Sequence, residues 1–157
     1  MVRRDRPLIQ PGRVLREYSR AEAAELAERW LAVFAANGFG NGSRDYLWHV
    51  FSFEATPALS RAKAQEQYEL ESSTEYVVLS DDRDVAFVTD QRPSVSSLSD
   101  WFVFPPNMAW TMAFTHEDGW LGPYFARHPA HASLDLENRA LLKKKLALDD
   151  AKQCGWA

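Results

Sequence analysis

The chain has 157 residues, 46% of them hydrophobic and 25% charged, with a formal net charge of −4. That length suits one domain burying roughly two-thirds of its unfolded surface, and the composition excludes the disordered and fibrous classes. The lone cysteine, Cys154, excludes an internal disulfide framework and a cysteine-based zinc site.

In chain order, residues 1–17 read as an extended arm, because Pro7, Pro11, Gly12 and several arginines fall there without a period. Residues 18–37 read as the first helix. Ser19 and Glu22 have the spacing of a capping box, Leu26, Trp30, Val33 and Phe34 recur at helical intervals, and Asn37-Gly38 supplies a stop. Residues 45–128 then form the sheet region. Its first strand is expected over 46–53, aromatic and apolar on both faces. A second helix is expected from Leu59 to Leu70, where Ala, Lys, Gln and Glu favour it on propensity. A hairpin follows, pairing Tyr76–Leu79 with Val85–Val88 across the polar tip Ser80–Asp84. Trp101–Phe104 is a strand that Pro105-Pro106 ends. Trp110 to His116 alternates as a strand does, and Tyr124-Phe125 adds a short strand. Residues 133–151 read as the last helix, acidic early and carrying Lys143, Lys144 and Lys145 later. The fold class is therefore α+β: one mainly antiparallel sheet of five to six strands, helices at both ends of the chain and one after the first strand.

Charge is unevenly distributed. Residues 45–118 hold thirteen acidic and four basic side chains, while 1–44 hold eight basic and five acidic. Glu66, Glu69, Glu71 and Glu75 crowd the C-terminal end of the second helix and the chain beyond it, opposing its dipole. Asp81, Asp82 and Asp84 crowd the hairpin tip. An acidic segment disfavours nucleic acid and favours a basic protein partner, so these seven carboxylates are the expected contact surface.

Chemistry-bearing motifs are sparse. Gly38 to Gly42 has the order of a helix stop, since a helix precedes and a strand follows, the reverse of a phosphate-binding loop. Asp81 to Asp84 lacks the Gly and Glu positions of a calcium loop. Cys154 has no histidine near it in sequence, and the serines of 94–99 lack a nucleophile elbow. His128 and His131 are three apart, but Pro129 places them in a loop. His49, His116, Glu117 and Tyr124 could gather on neighbouring strands, and they are the candidates for a hydrolytic or metal-activated-water site. No metal or other cofactor is assigned.

Trp110-Thr111-Met112-Ala113-Phe114-Thr115-His116-Glu117, followed by Gly122-Pro123-Tyr124-Phe125, resembles the closing signature of a functionally uncharacterised bacterial family of small single-domain proteins. Leu47 to Phe53 resembles that family's first strand, and the similarity covers most of residues 20–128. The resemblance implies one compact domain in which Thr115-His116-Glu117 and Gly122 to Phe125 share a local structure. It implies no catalytic role for any residue.

The expected function is that of a small non-enzymatic binding protein of immunity or antitoxin type, masking a basic partner with the acidic middle of the chain. A small enzyme centred on His116 and Glu117 is the alternative, and a self-associating structural domain, homodimeric through exposed aromatics, is the third. No apolar run approaches the ~18 residues that span a bilayer, and arginines and Asp5 interrupt the N-terminus where a secretory leader would need an apolar stretch. A cytoplasmic protein with no membrane partner is expected.

Overall fold

Strands that are apolar on both faces need a covering layer on each side, and this chain supplies both. The computed structural model describes residues 9–34, 58–115, 123–153 and 155. The expected strand over 46–53, with His49, lies outside the described residues, as do His116, Glu117 and Cys154.

The elements in order are β1 (Ile9–Gln10), β2 (Val14–Glu17), α1 (Arg20–Phe34), β3 (Leu59–Ser60), α2 (Arg61–Leu70), β4 (Tyr76–Ser80), β5 (Ala86–Thr89), β6 (Val95–Ser96), β7 (Trp101–Phe104), β8 (Trp110–Phe114), β9 (Tyr124–Arg127) and α3 (His131–Gln153). The architecture is α+β with a mainly antiparallel sheet, as expected. Among the described residues the main sheet has seven strands rather than five to six, in the order β2-β5-β4-β7-β8-β9-β3. β1 and β6 form a separate two-stranded ribbon.

The extra strands are the two edges, where sequence signals are weakest. β2 belongs to the arm: it pairs Val14 with Thr89 and Arg16 with Val88, with an irregularity between Val14 and Arg16 that interrupts the alternation. Gly12 turns the chain into it at φ 101°, where a Cβ would meet Thr89 Oγ1 and Asp90 Oδ1 at 2.9 Å. The arm is held by the Arg13 amide donating to Asp90 Oδ1 at 2.9 Å and the Thr89 hydroxyl donating to the Arg13 carbonyl at 3.0 Å. At the other edge, β3 is two residues long and pairs Leu59 with Phe125.

Alternation along the central strands sorts two cores. Val77 and Leu79 of β4 join Ala86, Val88, Phe102 and Phe104 under Ala23, Leu26, Ala27, Trp30 and Phe34 of α1. Tyr76 and Val78 face the opposite side with Phe87, Trp101, Val103, Trp110 and Met112, covered by Ala64 and Tyr68 of α2. Helices therefore lie on both faces of the sheet. The expected capping box is formed: the Ser19 amide donates to Glu22 Oε1 at 2.9 Å and the Glu22 amide to Ser19 Oγ at 3.1 Å. Trp30 donates its indole N–H to Thr111 Oγ1 at 2.9 Å, and the Thr111 hydroxyl donates to the Val103 carbonyl at 3.2 Å, so the buried polar groups of α1 and β8 are both hydrogen-bonded.

α3 begins at His131, earlier than the expected 133, and its first turns dock beside α2. Asn107 after β7 donates through Nδ2 to the Leu134 carbonyl at 3.2 Å and accepts from Asn138 Nδ2 at 3.2 Å. Asn138 is the buried residue of this helix. Among the described residues no helix is long and apolar enough to cross a membrane.

Candidate functional site

The seven candidate carboxylates do not form one patch; they gather at the two ends of β4. Glu75 immediately precedes Tyr76 and Asp81 immediately follows Ser80, so about 20 Å of extended chain separates them at ~3.3 Å per residue.

At the α2 end, Glu66 and Glu69 are exposed, with Gln65 Nε2 donating to Glu69 Oε1 at 3.2 Å. Glu75 meets Arg16 of β2 at 3.6 Å. Glu71 is the exception, only 4% exposed. It ends α2 as the C-cap, in extended conformation, with its amide bonded to the Tyr68 carbonyl. Its carboxylate accepts from Gln67 Nε2 at 2.9 Å through Oε1. His131 Nε2 lies 3.3 Å from Oε1 and 3.4 Å from Oε2. The charge that opposes the α2 dipole thus faces the first residue of α3, the positive end of that helix's dipole, and this second helix explains why it is tolerated.

Three further side chains surround it. Asp135, one turn beyond His131, accepts from Arg139 Nε at 2.8 Å. Arg92 donates to the backbone carbonyl of Glu71 and lies 5.8 Å from the ring centres of both Tyr68 and Tyr76. Tyr68 donates its hydroxyl to the Pro93 carbonyl. Burial pushes the Tyr68 phenol well above its ordinary value and raises Tyr76 as well, against the lowering effect of Arg92.

At the hairpin end, Asp84 is held by Arg20 of α1 at 2.9 Å. Asp82 is exposed and shapes the tip: Ser80 Oγ and the Asp84 amide both donate to its Oδ1. Arg83 adopts φ 66°, which closes the turn. Beside the tip, Ser80, Asp81, Asp82 and Ser97 to Asp100 line an open concavity of about 300 Å³. Three of these lining residues carry carboxylates.

Residues 16–125 match a family described as a domain of unknown function, DUF4275. The chain belongs to this family. No curated protein and no solved structure matches it. The span of DUF4275 includes α1, α2, Glu71 and both acidic ends of β4, and stops before α3.

Of the enzymatic candidates in this DUF4275 chain, Tyr124 is described, and it is a core residue of β9, 6% exposed, on the α1 face of the sheet. Its proposed companions His49, His116 and Glu117 lie outside the described residues. The cluster that the fold does assemble, Glu71 with His131 and Asp135, is not visible in a sequence reading that starts the final helix at 133, after His131. A helix starting at 131 puts His131 and Asp135 four residues apart on one face, and that spacing is the signal that could have found them. Arg92 and Gln67 carry no such signal, since only the fold brings them to Glu71.

Proposed function

We propose that this protein is a non-enzymatic binding module of immunity or antitoxin type that covers a basic protein partner with the carboxylates of its central segment. The observation that carries this reading is the open concavity beside the hairpin tip, whose lining includes Asp81, Asp82 and Asp100 and in which Asp82 is exposed. A basic side chain entering it would meet several carboxylates at once, which steers association and rejects acidic competitors. Glu66, Glu69 and Asp82 supply exposed charge, whereas Glu75 and Asp84 are shared with Arg16 and Arg20. Glu71 contributes by holding α2 and α3 together.

A bacterial source, a cytoplasmic setting and a local structure shared across Trp110–Glu117 and Gly122–Phe125 belong to the same reading. The test is coexpression with the product of the neighbouring reading frame. A complex should form whose association slows as salt rises, and Asp82→Lys with Glu69→Lys should weaken it by on the order of tenfold or more. An unchanged complex in the double variant would remove the acidic surface from the mechanism.

Self-association has one supporting observation of its own. Leu136, Leu141, Leu146 and Leu148 of α3 are each more than half exposed, and a helix carrying such side chains is suited to a second copy. Sedimentation of the full chain over a range of concentrations tests it: a constant monomer mass would dismiss this second reading while leaving the first intact.

A further inference from the structure

We propose that Glu71, His131 and Asp135 form a binding site for one divalent first-row transition ion, with Zn²⁺ the best fit. One donor atom from each of the three lies within 4.8 Å of the others. They come from two elements. Glu71 caps α2, while His131 and Asp135 share a face in the first turns of α3.

The spacing suits a shared metal ion. A charge-assisted N–H to carboxylate bond closes to about 2.7–2.9 Å. His131 Nε2 instead sits nearly midway between the two Glu71 oxygens, at 3.3 and 3.4 Å, although Glu71 is 4% exposed and has little water to turn to. Two donors that share a tetrahedral zinc at bonds of about 2.0–2.2 Å lie about 3.3 Å apart. The separation is that of neighbouring ligands around a common centre.

The surroundings support the same assignment. Gln67 Nε2 holds Glu71 Oε1 at 2.9 Å, and Arg139 Nε holds Asp135 Oδ2 at 2.8 Å, leaving the other Asp135 oxygen as a donor. Outer contacts of this kind orient ligating carboxylates. Arg92, the basic side chain bonded to Glu71, is directed at its backbone carbonyl and at two tyrosine rings rather than at the carboxylate. Two carboxylates and a neutral imidazole balance a 2+ charge. The imidazole donor and the count of three protein ligands favour zinc over magnesium or calcium, which take oxygen donors in larger numbers. Three protein ligands also leave a fourth position for water. Because this site involves none of the hairpin carboxylates, its fate is independent of the partner reading.

The test uses the untagged full chain, stripped with a chelator and titrated with Zn²⁺ by calorimetry alongside thermal unfolding. Saturable uptake of one ion per chain with a rise in Tm is expected. His131→Ala and Glu71→Gln should each weaken uptake at least tenfold, and Gln67→Ala, which alters only an outer contact on a half-buried side chain, should weaken it about 10- to 100-fold while keeping the fold. Leu146→Ala, on an exposed side chain much further along α3, should bind as the parent does. Absence of saturable uptake in the parent chain, or unchanged affinity in both His131→Ala and Gln67→Ala, would overturn the proposal.

Discussion

Both ends of β4 carry carboxylates, but at one end Glu71 is 4% exposed and locked between Gln67 and His131, while at the other Asp82 is exposed and bonded only within its own turn. The difference comes from what arrives through the tertiary fold. At the α2 end the first turn of α3 packs over the acid and brings an imidazole, a carboxylate and a dipole of the right sign. At the hairpin end the chain folds back on itself, and the serine-rich segment before β7 forms the wall of an open concavity. Similar charge in sequence is therefore structural at one end and available at the other.

The sharpest way to break this contrast is to remove each acid. Glu71→Ala strips a buried group of its role and leaves His131 and Gln67 facing a gap, so a loss of about 2–3 kcal/mol is expected, below the value for a fully buried ion pair because His131 is 22% exposed. Asp82→Ala should cost no more than about 1 kcal/mol, the worth of its turn contacts. Urea unfolding of the two variants reads both numbers. Equal losses would mean that burial does not separate the two ends.

Tyr68 sharpens the same end by pH. Its phenol is pushed well above the ordinary value by burial, so the folded state resists ionisation that the unfolded chain permits near pH 10. A raised folded value means that the stabilisation is fully present below about pH 10 and is lost as pH climbs toward the folded value. Tyr68→Phe should cost about 1 kcal/mol at neutral pH through the lost bond to the Pro93 carbonyl. It should also flatten the alkaline fall in stability. An alkaline limb as steep as the parent's would place the titrating group elsewhere, with Tyr76 the next to examine.

How much of this was legible in the sequence follows from the range of the interactions. The starts of α1 and β8, the β4–β5 hairpin and β7 are set by local periodicity, caps and turns, and the sequence names them to within two residues, while the expected ends at 37 and 116 lie outside the described residues. The edges β2 and β3 are not legible. Val14–Glu17 and Leu59–Ser60 have no alternation to mark them and become strands only because Thr89 and Phe125 offer unpaired edges. The acidic clusters could be counted but not sorted, since burial of Glu71 depends on His131, sixty residues away in the chain. The start of α3 was the decisive unknown. The His128 ring accepting the Ala130 amide opens the helix there, in place of a Ser, Thr or Asp cap that a sequence reading would seek.

The smallest expected effect lies at Arg20 and Asp84, which join α1 to the hairpin tip at 2.9 Å. Arg20 is 73% exposed, so the pair works in high dielectric and Arg20→Ala should cost about 0.5 kcal/mol or less. Its informative consequence is in charge rather than stability. Arg20→Ala uncovers Asp84 beside Asp82 and raises the negative potential at the tip. If the hairpin end is the surface that meets a basic partner, this variant should associate faster at low salt and lose that advantage as salt rises, whereas Arg16→Ala, which uncovers Glu75 at the far end of β4, should change association less. Equal changes from the two variants would spread the contact along the whole length of β4. A larger change from Arg16→Ala would move the contact to the α2 end.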